Sequence, residues 1–328
     1  MLLKAILLFI VGLILLIKGG DWFVDGASGI AHKFRIPEII VGATVVSIGT
    51  TLPEVMVSVS GALNGQGSMA YGNAIGSIIC NTSLICALTL AIKPGPVDTK
   101  SLKIPVIFFF LSSIVYIVSA YVFGTFYRWI GIVLLAIFVV YMIISVKSGI
   151  KESKLQLNSQ EKPQESENKK VKPLWLEILL LIVGAAFIAV GADLLVDNGT
   201  IIARELKVPE TVIALTFVAL GTSLPELVTA ITSLAKGHGS LSLGNVIGAN
   251  LFNLVLVSGA SITLAPFVVP EGNVIFGINS SLILDIPLML VVMAILTLPA
   301  LISKKLTRAQ GIILLVLYAG FCALQFAL

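Results

Sequence analysis

Residues 36–54 read Ile-Pro-Glu-Ile-Ile-Val-Gly-Ala-Thr-Val-Val-Ser-Ile-Gly-Thr-Thr-Leu-Pro-Glu, and residues 208–226 read Val-Pro-Glu-Thr-Val-Ile-Ala-Leu-Thr-Phe-Val-Ala-Leu-Gly-Thr-Ser-Leu-Pro-Glu. The second stretch repeats the first at an offset of 172 positions: Pro37–Glu38 falls on Pro209–Glu210, Thr44 on Thr216, Gly49–Thr50 on Gly221–Thr222, and Leu52–Pro53–Glu54 on Leu224–Pro225–Glu226. The same offset holds upstream, carrying Gly12, Gly19, Asp21 and Asp25 onto Gly184, Gly191, Asp193 and Asp197. Downstream it carries Gly65 and Gly67 onto Gly237 and Gly239, Gly72–Asn73 onto Gly244–Asn245, Gly76 onto Gly248 and Asn81 onto Asn253, with no gap. Chance likeness between apolar segments would match Leu and Val, not Pro, Glu, Asn and Gly.

Around this repeat the chain is too apolar for water. It is 57% hydrophobic and 12% charged, with a mean hydropathy of +1.07. Soluble domains carry about 25% charged residues. A helix needs about 20 apolar residues to cross the hydrocarbon core. Ten such segments are read at 3–24, 37–63, 70–91, 104–123, 129–147, 175–198, 209–235, 241–264, 279–300 and 309–327. They do not alternate as barrel strands do, so helices remain to satisfy the backbone in lipid. The first segment has no clear cleavage site and recurs in mid-chain at 175–198, so it reads as a mature helix.

Each half, 1–147 and 174–328, holds five of the ten spans. Five is odd, so the second half enters the membrane upside down; the expected architecture is all-α, two inverted five-helix repeats. The Lys/Glu/Gln/Ser-rich stretch 148–173 reads as a solvated linker. On this layout 16 of the 21 basic residues fall on one side, among them Lys33, Arg35, Lys93, Lys304, Lys305, Arg308 and those of 147–172. That side is expected to be cytoplasmic, with both termini outside and the protein multi-pass in the cell membrane. The net charge of +4 follows this topology and signals no nucleic acid; the bilayer is the expected surrounding, and no protein partner is evident. Cys80, Cys86 and Cys322 lie in apolar segments and read as small fillers. His32 and His238 fall in short polar connections and read as surface residues.

The chemistry lies in the paired segments. Pro53 and Pro225 remove a helical donor and clash with the turn before them, and Gly49 and Gly221 loosen that turn. The expectation is a helix broken at mid-membrane, with carbonyls such as those of Ser47 and Ala219 exposed to a cation. Glu54 and Glu226 then meet from the two repeats. A mid-membrane carboxylate costs on the order of 2.5 kcal/mol or more, and two together repel. A shared divalent cation removes both costs, and a set of carboxylate, carbonyl and hydroxyl oxygens suits calcium. A blander reading is available: Thr51-x-x-Glu54 and Ser223-x-x-Glu226 fit a capping box. The glycine pairs Gly72/Gly76 and Gly244/Gly248 fit a small-residue packing face. That face does not account for Ser77 and Asn81, four apart on one helical side, or for Asn253, which would place neutral oxygens beside the acids. Asp21/Asp25 and Asp193/Asp197 read as water-facing caps or as ion-path entrances. Asp285 has no acidic counterpart in the first half, where Ser113 stands.

The paired Gly-Thr-[Thr/Ser]-Leu-Pro-Glu segments, each followed by Gly-Asn-x-Ile-Gly, resemble the two alpha-repeats of the calcium/cation antiporter superfamily, in particular its prokaryotic sodium/calcium exchanger branch. The resemblance spans both halves. It implies ten helices, alternating access with the first helix of each half sliding across a core, and exchange of calcium for sodium. It implies Glu54 and Glu226 as shared calcium and sodium ligands, completed by Thr50, Thr222 and the carbonyls of Ser47 and Ala219. Ser77 and Asn81, with Thr51 and Ser223, would serve or support flanking sodium sites. This chain departs from the pattern at Ala249, where relatives often carry Ser, at Asn253, where some carry Asp, and at Ile78, which stands opposite Asn250 where Asn is usual in both repeats. These departures bear on the counter-ion, and the alternative is a proton- or potassium-coupled exchanger of divalent cations on the same fold. An intramembrane enzyme using the two glutamates as acid and base is disfavoured: there is no His-Glu-x-x-His, neither His lies in a span, and no catalytic residue or cofactor is expected.

Overall fold

The computed structural model describes residues 2–158, 172–206, 221, 223–270, 274–275 and 278–327. Among them nine helices are long and apolar enough to cross a membrane. They are α1 (Leu2–Phe34), α2 (Glu38–Leu63), α3 (Gly67–Ile92), α4 (Thr99–Phe123), α5 (Arg128–Asn158), α6 (Leu174–Glu205), α8 (Gly239–Leu264), α9 (Ser281–Ser303) and α10 (Arg308–Ala327). A shorter apolar helix, α7 (Leu224–Ala235), stands between α6 and α8. The protein is an all-α membrane protein of two inverted five-helix repeats.

Burial separates centre from rim. In the most apolar window of α8, 83% of residues are buried, and in α3, 72%; in α1 and α6 only 22% are. The peripheral helices turn Leu7, Ile14, Trp175 and Ile182 outward, as lipid-facing surfaces should.

α1 and α6 make the most extensive helix–helix contact in the molecule. Glycines allow it. A Cβ on Gly12 would lie 2.9 Å from the Gly191 carbonyl, and one on Gly184 would lie 2.8 Å from that of Gly19. The two contacts exchange under the 172-residue offset, so the pseudo-twofold axis runs between these helices. Close backbone approach through small residues is how helices associate where burial against lipid gives no advantage.

Two small strand pairs clip the halves together. β1 (Gly95–Pro96) pairs antiparallel with β4 (Lys305–Leu306), and β2 (Thr125–Phe126) pairs with β3 (Phe267–Val268). The offset carries β1 onto β3, and the other two strands each precede the last helix of their repeat, so the clips correspond, and each joins a connection of one repeat to a connection of the other.

α1 runs to Phe34, ten residues beyond the expected end. At 33 residues it is about 50 Å long, more than the ~30 Å core requires. Asp21 and Asp25 are therefore mid-helical and not caps. Both pair with Lys236 at the end of α7, at 3.3 and 2.8 Å. α5 continues to Asn158, inside the stretch read as linker, and α6 starts at Leu174.

Candidate functional site

The break expected at Gly49–Pro53 is absent from the first repeat: Pro53 lies inside a continuous helical segment, Ser47–Leu63. The irregularity sits earlier, as a widened turn over Gly42–Val46. Its loosened carbonyls find side-chain partners: Tyr141, on another helix, donates to Ala43 O at 2.7 Å, and the Ser47 hydroxyl, five residues on, lies 2.8 Å from Gly42 O, which shares it with the Asn245 carbonyl. In a continuous helix the carbonyl that Pro53 deprives of its donor belongs to Gly49, four residues back. In the second repeat α7 begins at Leu224 with Pro225 in its first turn, where a proline costs nothing. Ala219 and Thr222 lie outside the described residues.

Widened turns recur where the repeat places asparagine. They span Asn81–Cys86 in α3 and Asn253–Val257 in α8, related by the offset. The first packs against α7 and the second against α2, so each faces a helix that carries a site glutamate. Such turns are frequent at functional sites.

Glu54 and Glu226 are wholly excluded from solvent. Their four carboxylate oxygens find no hydrogen-bond donor among the described residues, and the two groups are near enough for their charges to repel. Thr50 and Thr51 lie beside Glu226, yet neither makes a well-formed hydrogen bond to it. Asn81 and Asn253 are fully buried, with both side-chain polar atoms unpartnered among the described residues. Ser223 is buried beside the glutamates, while Ser77 is buried with no hydrogen bond to either glutamate carboxylate among the described residues. The structure thus brings Glu54, Glu226, Thr50, Thr51 and Ser223 together, with Asn81 and Asn253 on the flanking turns.

The capping reading fails on this geometry. Thr51 is interior to its helix, and Ser223 makes no side-chain capping bond. Ser47 contributes a hydroxyl to the scaffold, donating to the Asn245 carbonyl at 3.0 Å.

Asn73 and Asn245 stood in the repeat without an assigned role. Asn73 Nδ2 donates to the Glu54 carbonyl at 3.1 Å and to Ser58 Oγ at 2.8 Å. Asn245 Oδ1 accepts from Thr50 Oγ1 at 3.3 Å. Their exact match at the constant offset was the signal. Gly248 makes the second contact possible: a Cβ there would lie 2.6 Å from Ala43 Cα and collide with the Ser47 hydroxyl. Cys80 is buried beside Ser223. Asn250, opposite Ile78, donates to Thr82 Oγ1 at 2.7 Å and to the Met293 sulfur at 3.1 Å. His238 is partly buried, its Nδ1 2.6 Å from Glu38 Oε1, and so is no simple surface residue. Asp285 accepts from Gln325 Nε2 at 3.2 Å.

No cluster of three or more His, Cys, Asp or Glu side chains suited to a metal occurs among the described residues. The donors here are two carboxylates, hydroxyls, carboxamides and carbonyls. They are hard oxygens, matched to alkali and alkaline-earth cations rather than to zinc or copper.

The family profile described as "Sodium/calcium exchanger protein" matches residues 4–147 and 176–327. An uncharacterized membrane protein of Methanocaldococcus jannaschii is 35% identical over 321 residues, 97% of each chain. The sodium/calcium exchanger MaX1 of Methanosarcina acetivorans is 29% identical over 350 residues, 98% of each chain. A solved structure of the sodium-calcium exchanger NCX_Mj, soaked with sodium and strontium, superposes with a TM-score of 0.80 at 31% identity, covering 98% of this chain and 99% of that one.

Proposed function

Because the chain belongs to the sodium/calcium exchanger family of membrane cation transporters, we propose that it exchanges calcium for sodium by alternating access, with the ions held between Glu54 and Glu226. The observation that carries this reading is the pair of solvent-excluded carboxylates, one from each repeat, that repel each other and lack protein donors among the described residues. Such a pair is costly in a low-dielectric interior unless a cation is shared between them. Calcium replaces the missing donors with charge. Sodium ions spread over several subsites can do the same when calcium leaves.

In this reading Thr50, Thr222 and the carbonyls of Ser47 and Ala219 complete the central site. Ser77, Asn81, Thr51, Ser223 and Asn253 offer neutral oxygens to flanking sodium ions. Ala249 removes a hydroxyl from that set, and Asn253 supplies an amide in place of a third acid, so fewer positive charges are neutralised per cycle. The termini face outward, and the stretch 148–173 is cytoplasmic.

The test is calcium uptake into proteoliposomes under an outward sodium gradient. Uptake that follows the sodium gradient, and that fails under a pH or potassium gradient alone, supports the assignment. Uptake driven only by protons or potassium replaces sodium with that ion.

A further inference from the structure

The two clips correspond in backbone but not in side chains. At one end the Phe267 ring lies over Gly67: a Cβ on Gly67 would sit 2.6 Å from Phe267 Cγ. The offset carries Phe267 onto Gly95 and Gly67 onto Gly239. At the other end a Cβ on Gly239 or on Gly95 would meet nothing within 4 Å. In place of the phenyl ring there is a cavity of about 260 Å³ between the ends of α3, α7 and α8 and the β1–β4 clip.

This cavity opens on the first turn of α8, a helix that starts without a side-chain cap; His238 at the cap position is turned to Glu38. The amides of Gly239 and Ser240 therefore point out of the helix end, where the aligned peptide dipoles place partial positive charge. Ser242, 4% exposed, lines the cavity and makes no side-chain hydrogen bond among the described residues. Ser240 adds a second hydroxyl and Lys93 an ammonium stem at the rim. The lining acid, Asp98, is already engaged: its oxygens accept from Lys100 N at 3.0 Å and from Ser101 Oγ at 2.5 Å.

We propose that this cavity binds a phosphate-bearing anion, with the oxyanion on the Gly239 and Ser240 amides and the Ser242 hydroxyl, countered by Lys93. Backbone amides at a helix start with a nearby lysine are a standard phosphate cradle. The volume decides the class. It exceeds what a bare phosphate fills and falls just under the usual small-molecule range of about 300–1,000 Å³. A phosphate monoester or the headgroup of an anionic phospholipid fits. Ile39, Leu90 and Leu243 supply an apolar wall for the attached carbons.

The experiment uses the purified full chain. Calorimetry with glycerol 3-phosphate tests a soluble ester, and native mass spectrometry after exchange into phosphatidylglycerol or phosphatidylcholine tests a lipid source. Saturable binding of the ester, or selective retention of phosphatidylglycerol, supports the site and names the source. Lys93→Gln is expected to weaken binding at least fivefold. Gly95→Phe, which copies Phe267 into the cavity, is expected to abolish it while sodium-driven calcium uptake persists. No binding of either probe, or full binding by Gly95→Phe, overturns the proposal. Neither outcome depends on whether calcium is the transported ion.

Discussion

Replacing Glu54 by Gln removes one of two buried charges while keeping size and shape. With the ion bound, the carboxylate faces a doubly charged partner in a site with no solvent exposure. Deleting one member of a buried charge pair typically costs about 3–5 kcal/mol, and each ~1.4 kcal/mol is tenfold in affinity. Calcium affinity should therefore fall by about two to three orders of magnitude. Without the ion the sign reverses: Glu54 and Glu226 repel, and their oxygens lack donors among the described residues. The ion-free variant should then be at least as heat-stable as the wild type, and calcium should no longer raise its unfolding temperature. Sodium-driven calcium-45 uptake in proteoliposomes, with thermal unfolding in detergent with and without calcium, reads both signs. Uptake within threefold of wild type, with calcium still stabilising the variant, would refute the reasoning.

Three further outcomes are expected. Gly248→Ala pushes a methyl towards Ala43 and the Ser47 hydroxyl and should cost about 1–3 kcal/mol of stability; Gly320→Ala, with nothing within 4 Å, should be neutral, and equal melting of the two variants would contradict the packing. Asn245→Ala strips the acceptor from Thr50 and should raise the half-saturating sodium concentration about tenfold, the worth of one buried hydrogen bond, with calcium affinity moving less; an unchanged sodium response would detach Asn245 from the site. Lys236→Gln breaks the pairs to Asp21 and Asp25, whose side chains are 41% and 38% exposed, so the loss should stay within about 1 kcal/mol per pair and shrink at high salt; a large, salt-independent loss would point to another role for that lysine.

The repeat, the spans and the paired glutamates were legible because each leaves a one-dimensional trace: a constant offset, an apolar length, a charge where lipid forbids one. The course of α2 was not. Proline at 53 argued for a break at its own position, but the helix runs on through it and the irregularity lies in the Gly42–Val46 turn, where the Ala43 carbonyl accepts from Tyr141 on another helix. Local rules see the lost donor and cannot see a hydroxyl 98 residues away. The widened turns at Asn81 and Asn253 were hidden for the same reason. The length of α1 was missed because its last ten residues carry little hydropathy and are held by packing of small residues such as Gly26, Ala27 and Ala31, beyond the Lys236 pairs to Asp21 and Asp25.

The crossed clips have a consequence for how such a chain could arise. Because each strand of these two clips finds its mate in the opposite repeat, a lone five-helix unit could complete these edges only on a second unit lying the other way up.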